Sequence, residues 1–590
     1  MNVMPMMIPF QWLKTPVSVL VLSLSLAGCS AMPQEQAEQS DPVGAEPSGA
    51  VDESRAAAEP EFEREPLTGQ IMYQLLLAEI ATNRQEYGTA AELYSRLDQT
   101  TEDAEIARRA AALNQVVGNY ERMLSHAEHW TSLSPESTEA WQALAIASLA
   151  EGRFESGEAA LNRWLTLDPQ ADVEAALIGS EGLDETEQGR LLTMLNRLAE
   201  QHPQNSGLPF ASAQLLASRQ QYDEALTKVR EARALRDSPR RGLLEYRILL
   251  QQDDLGEART ALEDLAAKYP QNSQVATAYA GFAYAEGDED KTAVLESLFN
   301  RFPNEPVIVR AFARESFDNG DFDTAEALFK RLTSTTDYAD EAHYFLGRIN
   351  KDNAREEQAA EQFLSIEEPP FLISGLAELS ELWRDERMDD LTALLERTRG
   401  RFPEQAPVLW RIEADAYRNR EEYEQAFDAL QEGLNTFPDN PDLLYDQAMV
   451  AGRLKRYQVL EDNLTRALEM DPDDASSLNA LGYTWADLDR NLQQAREYID
   501  RALDIRPDDP AIMDSKGWVE YRLGNLETAE EWLRKALAEF DNDEVAAHLA
   551  EVLWQQGERE EARKWLRHAF DLNPQSPTAT SVQDRLGIEL

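Results

Sequence analysis

Four prolines, Pro403, Pro438, Pro472 and Pro507, each follow a helical run, and their spacings are 35, 34 and 35 residues. A period of this length describes a single supersecondary unit that cannot bury its apolar face alone, so successive units must stack into a solenoid. Small residues keep the same phase along the chain: Ala225, Ala258, Ala325, Ala359, Ala426, Ala495, Ala529 and Ala562. The unit "VLWRIEADAYRNREEYEQAFDALQEGLNTFPDN" shows what each position does. Trp410 and Tyr417 share one stripe of a first helix. Ala414 and Ala426 are small where two helices cross closely, and Pro438 cannot continue the second helix. Trp141, Ala145, Leu161 and Pro169 repeat the pattern early in the chain, and Leu478, Leu481, Gly482, Ile499, Ala502 and Pro507 repeat it late. From Ile71 to Pro574 the pattern predicts about 15 helix pairs, with Asp172 to Asn205 and Phe371 to Gln405 as degenerate units. No stretch reads as strand-rich, which leaves no room for a globular β or α/β enzyme domain.

This spacing resembles the tetratricopeptide signature, and the resemblance implies an all-α, right-handed superhelical solenoid over residues 67–576. Residues 577–590, "TATSVQDRLGIEL" with the Pro577 before it, read as a capping segment over the last apolar face. In that family the first helix of each unit faces a groove, lined by unit positions two, five, nine and twelve. Between Pro306 and Asn440, positions five, nine and twelve are Arg310, Arg314, Phe317; Tyr344, Arg348, Lys351; Leu376, Ser380, Trp383; and Arg411, Asp415, Arg418. Half are basic in a chain with only 56 Lys and Arg among 590 residues. Two readings follow: a cationic stripe for an acidic partner segment, or cations paired with acidic neighbours on adjacent helices. The next units place Tyr445, Met449, Asn479, Tyr483, Asp514, Trp518, Tyr521, Glu551 and Trp554 in these phases. Such rings suit capture of a peptide or helix, unless the phase is one residue off and they are core.

Cys29 is the only cysteine. It ends "LSLAGC", behind Lys14 and an apolar run from Val17 to Leu26 that is too short to span a bilayer, which takes about 20 residues. Leu26-Ala27-Gly28-Cys29 resembles the lipobox of bacterial lipoproteins, which implies a signal peptide over 1–28 and a lipid anchor on Cys29. Ser30, in place of aspartate, implies sorting to the outer membrane, facing the periplasm. Residues 29–66, rich in Pro, Glu, Ala, Gln and Ser, read as a disordered tether. Its r.m.s. span would be about 30 to 35 Å.

The net charge of −53 disfavours nucleic acid and anionic headgroups as general partners. No catalytic apparatus is legible: there is no glycine-rich phosphate loop, no Gly-x-Ser-x-Gly and no His-Glu-x-x-His. Of the six histidines only His126 and His129 are near each other, and they read as helix-surface residues rather than zinc ligands. No catalytic residue, metal, cofactor or small-molecule substrate is expected.

The stretch "LNALGYTWADLDRNLQQAREYIDRALDIRPDDPAIMDSKGWVEYRLGNLETAEEWLRKAL" resembles the C-terminal repeats of gammaproteobacterial tetratricopeptide lipoproteins. With the lipobox and the length, the whole chain resembles the family of outer-membrane lipoproteins that partner a periplasmic carboxyl-terminal processing protease. That resemblance implies a non-enzymatic adaptor bringing peptidoglycan cross-link hydrolases to the protease. The Lys and Asn pattern of the chaperone-binding carboxylate clamp is not reproduced. An assembly factor for a polysaccharide or pilus export machine is the alternative, and a hydrolase with an unrecognised site a third.

Overall fold

The computed structural model describes residues 68–174, 183–285, 290–383 and 387–589. Cys29, the signal segment and the tether lie outside the described residues. Of two compact units, Met1–Tyr73 contributes only the first turn of α1 to this description, and Gln74–Leu590 holds the remainder.

Among the described residues there are thirty α-helices and no strand. Of the first six helices, α1 (Gly69–Asn83) is tied to α2 (Tyr87–Asp98) by the Tyr94–Glu79 hydrogen bond, and two hairpins follow, α3 (Ala104–Val116) with α4 (Tyr120–Leu133) and α5 (Thr138–Ala150) with α6 (Phe154–Leu167). α7 (Glu185–Gln201) follows without a described partner in its own unit, which is the degenerate unit Asp172 to Asn205. Pairing resumes with α8 (Gly207–Ser218) and α9 (Tyr222–Leu235), α10 (Pro239–Gln251) and α11 (Leu255–Lys268), α12 (Ser273–Ala285) and α13 (Lys291–Arg301), and α14 (Pro306–Asp318) and α15 (Phe322–Leu332). Next come α16 (Ala339–Asp352) and α17 (Glu356–Leu364), α18 (Phe371–Leu382) and α19 (Met388–Arg401), and α20 (Ala406–Arg418) and α21 (Tyr423–Thr436). The last pairs are α22 (Pro441–Arg453) and α23 (Tyr457–Met470), α24 (Ala475–Asp487) and α25 (Leu492–Ile505), α26 (Pro510–Arg522) and α27 (Leu526–Glu539), and α28 (Asp543–Gln556) and α29 (Arg559–Leu572). α30 (Pro577–Leu586) stands alone at the end. The second degenerate unit, Phe371 to Gln405, holds two helices whose apolar residues, among them Leu376 and Leu391, join one core cluster with α17 and α20.

The punctuation of this array is chemical. α21, α23 and α25 end at Thr436, Met470 and Ile505, each two residues before Pro438, Pro472 and Pro507. A residue or two later a side chain caps the next helix. The Leu443 N–H donates to Asn440 Oδ1 at 3.0 Å, the Ser477 N–H to Asp474 Oδ2 at 3.0 Å, and the Ala511 N–H to Asp509 Oδ1 at 2.9 Å. Each such cap stabilises its helix by about 1 kcal/mol. Within hairpins the turn places one residue in the left-handed region, for example Gly320, Ala354 and Lys455.

The core is a seam running between first and second helices. All eight phased alanines, from Ala225 to Ala562, are fully buried. At the same crossing in α24, a Cβ on Gly482 would lie 2.9 Å from the Ala495 carbonyl oxygen, so only glycine lets the two helices approach this closely. Ala414 and Leu430 are buried, and Trp410 and Tyr417 pack half-buried against their cluster. At the end of the array, Ala579 and Val582 of α30 are buried against residues of α28 and α29.

Candidate protein-interaction face

The first helices stack in a row, and the predicted cations lie along it. In every case they are paired. Arg310 Nε donates to Glu341 at 2.6 Å and Arg314 Nη1 to the other oxygen of Glu341 at 3.1 Å. Arg348 lies 3.5 Å from Glu378, and Lys351 donates to Glu378 at 2.5 Å and to Glu381 at 2.7 Å. Arg411 donates to Asp446 at 2.6 Å and Asp442 at 3.0 Å, and Arg418 to Asp415 of its own helix at 2.7 Å. Except for Arg418, each pair joins one first helix to the first helix of the next unit. Burial works against the charge on Lys351, yet Glu378 and Glu381 overcome it and raise its pKa above the ordinary lysine value.

Aromatic rings complete this ladder. The Arg314 guanidinium sits 5.0 Å from the Phe345 ring and 5.4 Å from Tyr284, Arg310 5.5 Å from Tyr338, and Arg348 5.6 Å from Phe317. Half-buried arginines held by carboxylates and rings are the composition in which interface energy concentrates. They are not, however, a free cationic stripe. Of the two readings of the sequence, pairing with acidic neighbours is the one the geometry shows, because carboxylates 27 to 35 residues downstream stand opposite positions five, nine and twelve. Glu341, Glu378, Asp442 and Asp446 at those offsets were the signal available in the sequence.

The aromatic units differ from expectation as well. Trp518 is only 2% exposed, so its ring belongs to the core and cannot face a partner. It stacks on His548 of α28 at 4.2 Å. His548 Nδ1 lies 2.9 Å from Asp514 Oδ1. Burial opposes a proton on this ring, but Asp514, with Glu544 and Glu551 nearby, raises the pKa to about 9. Tyr483 is half-buried, and its hydroxyl donates to Glu544 at 3.2 Å, joining α24 to α28 past the intervening unit. The Tyr521 hydroxyl donates to Glu551 at 2.9 Å, and Arg585 of α30 bonds the other Glu551 oxygen. Burial and Glu551 push Tyr521 up to about 12. Trp554 is half-buried beneath Arg559, 3.8 Å from its ring. These residues therefore form a polar cluster filled by the chain's own side chains. His548, one place off the groove positions, was invisible to the repeat pattern.

His126 and His129 also depart from the helix-surface expectation. Both bond the carboxylate of Asp98, at 2.6 and 2.9 Å, and His126 is buried. They bind α4 to the end of α2. Among the described residues no group of three or more His, Cys, Asp or Glu is placed to hold a metal ion, and no helix is long and apolar enough to cross a membrane.

Models of the tetratricopeptide repeat match residues 310–371, 445–510, 490–544 and 520–586. A TPR repeat-containing protein of Pseudomonas aeruginosa is 31% identical over 537 residues, which is 91% of this chain and 90% of that protein. Among solved structures, the Cut9–Hcn1 hetero-tetramer of the APC/C is 14% identical with a TM-score of 0.34, covering 88% of this chain and 96% of its own. Yeast Tom70 is 13% identical with a TM-score of 0.34, covering 89% and 97%. On the identity and coverage of the Pseudomonas relative, and with repeat models matching its own helix pairs, the chain belongs to the tetratricopeptide repeat family.

Proposed function

We propose that the protein is a non-catalytic adaptor, lipid-anchored through Cys29 to the outer membrane and facing the periplasm. It binds a carboxyl-terminal processing protease and delivers protein substrates to it, peptidoglycan cross-link hydrolases among them. The observation that carries the binding role is the first-helix row from α12 to α18, where Arg310, Arg314 and Arg348 are held half-buried against Tyr284, Phe317, Tyr338 and Phe345. A rigid row of this kind presents pre-positioned side chains, so little ordering entropy is lost on binding. The sequence at Cys29 supports the anchor, and the resemblance to protease-partner lipoproteins supports the choice of partner. Holding protease and substrate on one tethered body raises their mutual concentration, toward the millimolar range for short flexible links.

Size-exclusion chromatography of the purified chain with the protease and a cross-link hydrolase tests this reading. A ternary complex eluting ahead of each binary mixture is expected. Elution of the chain apart from both proteins contradicts it.

A further inference from the structure

The ladder has a missing rung. Arg247 stands eleven residues before Ala258, as Arg314 stands before Ala325, so the two arginines occupy equivalent places on α10 and α14. The carboxylates that neutralise the ladder lie 27, 30, 31 or 35 residues downstream of their cations. From Arg247 those offsets reach Gln274, Thr277, Ala278 and Phe282, and none is acidic. The one hydrogen bond of the Arg247 side chain among the described residues runs from its Nε to the Leu243 carbonyl, at 3.3 Å.

The surroundings are largely apolar, and solvent still reaches the side chain. Arg247 is exposed, between half-buried Leu243 and Leu250 on its own helix. On α12 Gly281 is exposed, and a Cβ there would meet nothing within 4 Å. On α8 the neighbouring groove positions are Gln214 and Ala217. Crowding by the surrounding helices, with Arg240 nearby, holds the Arg247 guanidinium below its ordinary pKa even though solvent reaches it. A guanidinium in such a setting forms strong, charge-assisted hydrogen bonds with any carboxylate brought to it.

We propose that Arg247 receives the side-chain carboxylate of an aspartate or glutamate in an extended segment of a partner protein lying across α8, α10 and α12. The partner thereby supplies the acid that the ladder lacks at this unit. A side chain rather than a chain end is assigned because the first-helix row continues on both sides of α10, with no wall to stop the segment. The inference rests on the adaptor reading and names the chemistry of its substrate contact.

The test uses the full chain, immobilised and exposed to a pool of short end-blocked peptides of random sequence. Salt is set so that the screening length is about 8 Å, which limits repulsion by the net charge. Wild type is expected to enrich Asp- and Glu-containing peptides about tenfold, as one charge-assisted bond allows. Arg247→Gln and Gln274→Glu, the second of which supplies the missing acid internally, are expected to abolish that enrichment with helicity and melting unchanged. Arg247→Lys should keep part of it. No enrichment by wild type, or enrichment that survives in Arg247→Gln, overturns the proposal. A parallel pool with free carboxyl termini, retained through Arg247 regardless of acidic side chains, overturns the assignment to a side chain. Capture of the protease and hydrolase on the same preparations is scored separately: its failure beside intact peptide enrichment refutes the adaptor reading and leaves the Arg247 contact standing.

Discussion

Glu341 carries more than a surface acid usually does, because two arginines share it. Its side chain is 6% exposed, whereas those of Arg310 and Arg314 are 33% and 20% exposed. Removing it strands two half-buried guanidinium groups, a loss that solvent screening reduces but does not erase. Glu341→Gln is expected to destabilise the chain by about 1 to 2 kcal/mol. Replacing exposed Glu121, in the first turn of α4, should cost less, about 0.3 to 1 kcal/mol at most. Urea unfolding followed by circular dichroism separates the two. An unchanged midpoint for Glu341→Gln would show that the ladder contributes specificity alone.

Helices and hairpins were the legible scale. Proline two residues past a helix end, a capping Asp or Asn, and alanine at the crossing are local signals, and together they place the boundaries of α20 to α29 within the pattern. The degenerate unit at Asp172 to Asn205 was legible as an irregularity and nothing more. Pairing between units was harder to read. It depends on which face each helix turns to its neighbour, and unit lengths that vary by a residue shift the offset of every acid. The phase of the groove positions was close enough to select Arg310 and Arg314, yet it turned buried Trp518 outward and passed over His548. That histidine gives the C-terminal block a distinct pH dependence. Its pKa in the fold, about 9, is above the ordinary histidine value of 6.5. The stabilisation is therefore fully present below about pH 6.5 and is lost as pH rises through about 9. Its size is on the order of a few kcal/mol. Unfolding midpoints of wild type should fall across this window, whereas those of His548→Gln should start lower and stay flat. Parallel curves for the two would remove Asp514–His548 from the account of stability.

At the scale of the whole molecule, 109 acidic residues face 56 basic ones, and the ladder consumes cations that the sequence alone made look available. The surface left over is strongly anionic, so association with protein partners should depend on salt, and cationic surfaces on those partners should speed encounter. The proposed anchoring is a separate property that would rest on Cys29. Cys29→Ser should release the chain from the outer-membrane fraction while leaving its helicity intact. A variant still in the membrane pellet, with no partner present, would assign the anchor elsewhere. The central proposal is that the chain works by bringing protease and substrate together without chemistry of its own. The most direct measurement is the rate at which the purified protease degrades a cross-link hydrolase with and without the chain. The account predicts a marked acceleration that passes through a maximum as the chain exceeds the protease, when the two partners become divided among separate adaptors. A rate independent of the chain, or release of cell-wall fragments by the chain alone, would contradict it.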